Sequence, residues 1–237
     1  MKYTPLKPAT QPADQLSDRA PVKKQGNPRV AAAHARAHAK LPGEIRIIGG
    51  LYKRTKLPVP DRPGLRPTPD RVRETLFNWL GQDLTGWRCV DVFAGTGALG
   101  FEAASRGAAE VLVCEHDPAL VLQLKALQTR LGASMVRVER GDGVSLLRRL
   151  SPGSLQLVLL DPPFESSLFE PALKAAALAI GPTGLVYLEA PRAWTNDELQ
   201  ALGLQVQRSG KAGAVHFHLL ASVVPGSPGE PGEPGGA

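Results

Sequence analysis

Leu157-Val158-Leu159-Leu160 is apolar at every position and stops at Asp161-Pro162-Pro163-Phe164. A half-exposed strand alternates apolar and polar residues, so a run without alternation needs cover on both faces. From Arg88 onward such strands alternate with segments of helical pattern. Strands are predicted over 88–93, 110–115, 135–139, 155–160, 184–189, 204–208 and 214–220, and helices over 97–106, 118–131, 143–150, 167–179 and 195–201. Strand–helix alternation with buried strands implies an α/β fold, a doubly wound and mostly parallel seven-stranded sheet. The last two strands are joined by Ser209-Gly210-Lys211-Ala212-Gly213, which reads as a hairpin, so the last strand is expected to run antiparallel.

The segment that ends the fourth of these strands also carries chemistry. Pro162 and Pro163 fix φ and remove two N–H donors, which leaves a stiff loop offering carbonyls. A carboxylate from Asp161, the Pro162 carbonyl and the Phe164 ring together suit a planar base with an exocyclic amine. The bland alternative is a proline turn with a packed Phe164.

A second loop, Asp91-Val92-Phe93-Ala94-Gly95-Thr96-Gly97-Ala98-Leu99-Gly100, follows the first strand of the sheet and opens its first helix. Glycines there let a backbone approach a ligand closely and present helix N-terminal amides to it. Gly95, Gly97 and Gly100 match the dinucleotide spacing, with Glu115 20 residues beyond Gly95, as a nicotinamide site would have. Asp91 argues against that ligand, because a carboxylate before the glycines repels a pyrophosphate and suits a cationic amino acid group. S-adenosylmethionine has an ammonium, a sulfonium and a ribose, and no phosphate. Asp91, Phe93, Gly95 and Gly97 are therefore expected at its methionine end, with Glu115 on the ribose hydroxyls and Asp142 on the adenine amine. Asp142 reads equally well as the N-cap of helix 143–150, and Asp117 as the cap of the helix that starts at Pro118.

Charge is concentrated at one end. Residues 1–56 hold 12 Lys and Arg against 3 Asp and Glu, within a chain of net charge +6, so the remainder is negative. A one-ended basic excess favours a polyanion, nucleic acid first. Residues 1–42 read as a disordered basic tail and 223–237 as a flexible Pro/Gly tail. Residues 43–84 read as a hairpin and a helix. Glu44–Gly50 and Tyr52–Leu57 pair through a Gly49-Gly50 turn, and Thr68 caps a helix that begins at Pro69 and ends at Gly81. Arg46, Lys53, Arg54, Arg66 and Arg71 lie on this extension as candidate phosphate contacts, with Thr68 among them and Arg73 beside them; a salt-bridged helix surface is the competing account of Arg71 and Arg73. Residues 85–222 form the catalytic domain. Cys89 and Cys114 fall inside strands without metal-ligand spacing and read as reduced core thiols. No apolar run is long enough for a membrane span and no apolar segment opens the chain as a secretory signal, so a cytoplasmic protein is expected; a monomer is the default.

With the glycine loop and Asp161-Pro162-Pro163-Phe164 in this order, residues 44–220 resemble the RsmD family of Rossmann-like, S-adenosylmethionine-dependent methyltransferases. The match is carried by Arg46-Ile47-Ile48-Gly49-Gly50, Arg66-Pro67-Thr68, Arg71-Val72-Arg73-Glu74-Thr75-Leu76-Phe77-Asn78, Asp91 to Gly100, Ser105-Arg106-Gly107-Ala108 and Asp161 to Phe164. The resemblance implies methyl transfer from S-adenosylmethionine to a guanine N2 of 16S ribosomal RNA, within the small subunit or an assembly intermediate. Thr96 stands where the family commonly has Ser. An adenine-N6 methyltransferase acting on DNA, a non-catalytic RNA-binding protein and a dehydrogenase are the rival readings.

Overall fold

The computed structural model describes residues 43–62, 65 and 67–223. The two expected tails, Val223 apart, and Arg66 lie outside the described residues. The chain opens with a short antiparallel pair, β1 (Glu44–Arg46) and β2 (Lys56–Pro58), followed by α1 (Asp70–Trp79). The sheet is then built from β3 (Arg88–Asp91), β4 (Glu110–Glu115), β5 (Val136–Arg140), β6 (Leu155–Leu160), β7 (Ile180–Ala190), β8 (Leu204–Ala212) and β9 (Val215–Ser222). The intervening helices are α2 (Ala98–Ser105), α3 (Pro118–Leu131), α4 (Gly143–Arg149), α5 (Phe169–Ala179) and α6 (Asn196–Gln200).

Strand order is β5-β4-β3-β6-β7-β9-β8. The first five strands in that order are parallel, and β9 runs antiparallel to both β7 and β8, as the sequence predicts. The chain winds outward from β3 to β5 and then returns to place β6 on the other side of β3. Ligands of open α/β sheets bind at the carboxyl ends of the strands where the order reverses in this way. β7 is longer than predicted, because Ile180 already pairs with Leu155 while Leu157 pairs with Leu185. Gly181–Gly184 bulge out between those two rungs.

Two apolar clusters cover the two faces, as unbroken apolar strands require. On one, Cys89, Val111, Leu157 and Tyr187 meet α2, α3, α1 and the β1–β2 pair; on the other, Val90, Val158 and Val186 meet α4, α5 and α6. The N-terminal extension therefore shares its core with the sheet. Val72, Leu76 and Phe77 of α1 are buried, and Trp79 stacks at 5.3 Å on Phe217 of β9.

Two local expectations are corrected. Gly49-Gly50 is not a two-residue hairpin turn: Ile47 and Thr55 are still bonded, and the loop between them turns back onto α2. A Cβ on Gly50, whose φ is +73°, would stand 1.8 Å from the Ser105 carbonyl oxygen, and one on Gly49 would stand 2.5 Å from Arg106 Nη2. The glycines are there for close approach. Thr68 is not the N-cap of α1; Pro69 holds that position with no side-chain cap. Thr68 is instead buried, with its carbonyl accepting from Arg73 Nε at 3.2 Å.

Arg73 is likewise no phosphate ligand, since its side chain is fully buried. It donates to the Arg46 carbonyl at 2.8 Å, to Asp70 at 2.6 Å and to Glu102 at 3.3 Å. Glu102, also fully buried, accepts from the Ile48 and Gly49 amides, each at 2.8 Å, and from Arg106 at 2.8 Å. Arg106 in turn lies 4.7 Å from the Phe77 ring centroid. One carboxylate thus joins two backbone amides and two guanidinium groups. Removing one partner from a buried ionic group costs roughly 3–5 kcal/mol, because the charges left behind stay desolvated. Glu102→Ala is expected to lose stability on that scale in urea unfolding. A loss under about 1 kcal/mol would show that the hairpin is held by its apolar contacts alone.

Candidate active site

Four neighbouring strands, β4, β3, β6 and β7, each run into a carboxylate at the same edge of the sheet: Glu115, Asp91, Asp161 and Glu189. All four line one cleft of about 1050 Å³, together with Phe93, Gly95, Asp142, Pro163 and Phe164. Its position spans the switch between β3 and β6.

Asp91 is the deepest of the four. It is 2% exposed, and Oδ2 accepts from the Gly100 amide at 2.8 Å. Burial pushes its carboxyl up to about 7; the Gly100 bond opposes the shift, and the negative charges of Glu115 and Glu189 add to it. Glu115 is held at both oxygens, with the Gly95 amide on Oε2 and the Asp117 amide on Oε1, each at 2.8 Å. Its carboxylate is oriented before any ligand arrives. Asp142 both caps α4, accepting from the Ser145 amide at 2.7 Å, and lines the cleft. The Ser145 bonds hold its carboxyl below the usual range. Asp117 caps α3 as predicted and is paired with Arg62, a cleft residue that its place before the glycine-rich stretch does not reveal.

The three glycines divide their roles. Gly95 lines the cleft. Gly97, at φ +79°, is buried outside it, where a Cβ would stand 2.6 Å from Leu124 Cδ2 and 2.8 Å from Phe101 Cδ2. Gly100 lies against Asp91 and Val113. Only Gly95 is placed for a ligand; the other two let α2 pack onto the sheet.

In the loop after β6, Asp161 and Phe164 face the cleft and Pro162 is buried. The Pro163 carbonyl is occupied, accepting from the Ser166 amide at 3.0 Å and its hydroxyl at 2.6 Å. Of the extension's candidates, Arg46, Lys53, Arg54 and Arg71 are exposed and none lines the cleft, whereas Thr68 lines it. Glu189 is the residue the sequence reading missed. Its signal was present, since Leu185–Leu188 ends in a carboxylate just as Leu157–Leu160 does. Cys114 lines the cleft as a free thiol, and burial raises it to about 11.

A family model described as conserved hypothetical protein 95 matches residues 45–221. The ribosomal RNA small subunit methyltransferase D of Escherichia coli (strain K12) is 49% identical over 128 residues, 54% of this chain and 64% of that protein. That match thus spans a little under two thirds of the relative's length. The Haemophilus influenzae protein of the same name is 42% identical over 152 residues, 62% of this chain and 79% of its own. Among solved structures, the yhhF protein of Escherichia coli superposes with a TM-score of 0.64 at 36% identity, over 76% of this chain and 98% of that one. The HI0767 protein of Haemophilus influenzae gives 0.63 at 32% identity, over 77% and 100%.

The buried acid of β3 can be tested in the protein alone. Because its folded pKa of about 7 lies above the ordinary 3.8, its stabilising contribution is full below about pH 3.8 and is lost as pH rises through about 7. Asp91→Asn keeps an acceptor for Gly100 without the charge. It should gain stability over the parent as pH rises from 4 to 8, reaching on the order of 4 kcal/mol. Identical pH profiles in chemical unfolding would remove Asp91 as the source.

Proposed function

We propose, for a chain that belongs to the RsmD family, that it transfers a methyl group from S-adenosylmethionine to the N2 of a guanine in 16S ribosomal RNA. The observation that carries this reading is that Asp91 and Asp161 end adjacent strands at the switch point and open into one cleft. The lining of the cleft fits the cofactor. The lining is rich in carboxylates, and Arg62, its one Arg or Lys among the described residues, is paired to Asp117; a dinucleotide's phosphates would find little there to answer them. Asp91 would hold the ammonium, Glu115 the ribose hydroxyls and Asp142 the adenine amine, with Phe93 and Gly95 closing the walls; Gly97 supports the loop from behind. Bound there, the cofactor supplies an electrophilic methyl carbon with a neutral thioether as leaving group.

The chain's own residues have the remaining work of presenting a weak nucleophile. The guanine N2 lone pair is delocalised into the ring. Hydrogen bonds from the amine to Asp161 and to the Pro162 carbonyl localise it, and Phe164 stacks on the extruded base. The Pro163 carbonyl already accepts from the Ser166 amide and hydroxyl, and Pro162 is buried beside the cleft lining; the proposed transfer needs its carbonyl at the amine. As the N2–carbon bond forms, one N2 proton passes to Asp161 and then to water. Positioning supplies most of the rate, and effective molarities of about 10⁵ M and above are available to well-oriented groups.

The RNA is held outside the cleft. Arg46, Lys53, Arg54 and Arg71 of the extension bear on its phosphates, Arg66 joins them from outside the described residues, and Thr68 lies at the cleft rim. RNA loops with splayed bases are the usual targets of such recognition, which fits a small subunit or its assembly intermediate as substrate. No helix among the described residues is long and apolar enough to cross a membrane, and we place the protein in the cytoplasm as a monomer.

Incubation with labelled cofactor and undermethylated small subunits, followed by nucleoside identification, should yield N2-methylguanosine; labelled DNA and untouched RNA would refute the reading. Asp161→Ala is expected to lower turnover roughly 100-fold or more with cofactor affinity retained, and full turnover would remove its role. Glu115→Ala should weaken cofactor binding by about tenfold or more. The double reversal Lys53→Glu with Arg54→Glu should weaken RNA binding and flatten its salt dependence, leaving cofactor affinity as it was.

A further inference from the structure

One cleft carboxylate has no part in the reaction as described. Glu189 is 3% exposed at the end of β7, lines the cleft, and accepts from the Tyr187 hydroxyl at 3.0 Å. β6 and β7 run parallel with Leu160 opposite Leu188, and Asp161 and Glu189, the residues that follow this last paired rung, both line the cleft. Burial pushes the Tyr187 phenol up, and the charges of Glu189 and Asp161 raise it further. The tyrosine braces Glu189 from within the sheet, which fixes where its carboxylate points.

Two hydrogen-bond acceptors side by side select for a base edge with two donors side by side. Guanine has that edge, with N1–H next to the N2 amine. Adenine offers the N1 lone pair next to its N6 amine, and cytosine the N3 lone pair next to its N4 amine. We infer that Glu189 is a specificity residue that accepts the N1–H of the target guanine while Asp161 accepts from its N2 amine. This rests on the proposed methyl transfer and goes beyond it by naming what distinguishes guanine from adenine at an otherwise shared Asp161-Pro162-Pro163-Phe164 loop. With adenine in the pocket, the Glu189 carboxylate, still bonded to Tyr187, would face a lone pair where guanine offers a donor. Sites built around such a bond reject analogues that lack the donor by factors of up to about 10⁴–10⁵.

The test uses 2-aminopurine, which keeps the N2 amine, replaces N1–H by a lone pair and lacks O6, so the change of preference in the Glu189 variant is what reads N1. The wild-type product on undermethylated small subunits first identifies the modified position. Subunits are then reconstituted with guanine or 2-aminopurine there, and kcat/KM is measured for both. The wild type should prefer guanine by about 100-fold or more. Glu189→Gln, whose amide can donate to the lone pair, should narrow that preference at least tenfold while cofactor affinity stays within twofold. Tyr187→Phe keeps the carboxylate and removes its brace, and should narrow the preference severalfold; it carries the test if Glu189→Gln does not fold. A merely structural Glu189 would lower both rates and leave their ratio alone. An unchanged ratio in the variants, or a wild type indifferent to N1–H, overturns the inference with the methyl transfer reading intact. Methyladenosine as the wild-type product overturns both.

Discussion

Among the described residues, the Glu102 carboxylate ties the sheet to the segment that precedes it. It sits on α2, the helix that the glycine loop opens, and it takes the Ile48 and Gly49 amides on one side and Arg73 and Arg106 on the other. A buried carboxylate is tolerable only when its charge and lone pairs are answered, and here the β1–β2 loop, α1 and α2 all contribute. The arrangement makes the basic extension a rigid part of the catalytic body. Under the proposed function, a phosphate gripped by Lys53 or Arg54 would be held at a fixed distance from the glycine loop, which a tethered arm could not ensure.

The site itself is organised by a row of acids. Each of four adjacent strands ends its apolar run in one carboxylate, so parallel strands deliver like charges to a single edge. Like charges in such a row repel one another; at Asp91 burial comes first and the charges of Glu115 and Glu189 add to it, pushing the carboxyl up to about 7. Under the proposed function, the ammonium, the ribose hydroxyls and the N–H edge of the base would relieve that repulsion in turn. The stability lost in assembling the row is the affinity available to ligands that match it.

Much of this was legible from residue order alone. Unbroken apolar strands dictate cover on both faces, and the structure has it; glycine and aspartate at strand ends marked the edge where the cleft lies; Asp117 and Asp142 cap the helices their positions foretold. What escaped was whatever depends on partners distant in the chain. Gly49-Gly50 has the composition of a tight turn, and only the packing of α2 shows that its Cβ positions are filled by Ser105 and Arg106. Arg73 has the spacing of a surface cation, yet the charge that buries it lies 29 residues away. Gly97 fits a ligand-binding fingerprint while serving Leu124. Glu189 could have been found by applying to 184–189 the rule that picked out Asp161.

The bulge of β7 has a further meaning. Between Leu155 and Leu157 the partner strand advances from Ile180 to Leu185, so Gly181–Gly184 are absorbed at the end of the sheet remote from the cleft. Downstream of it the ladder runs without interruption to Leu160 opposite Leu188. A one-residue slip there would exchange Glu189 for a neighbour and rewrite the base edge the cleft accepts. The slack in this strand pair is thus segregated from its reading frame. If Glu189 reads the base as inferred, a change of length around Pro182 and Thr183 would leave that reading in register.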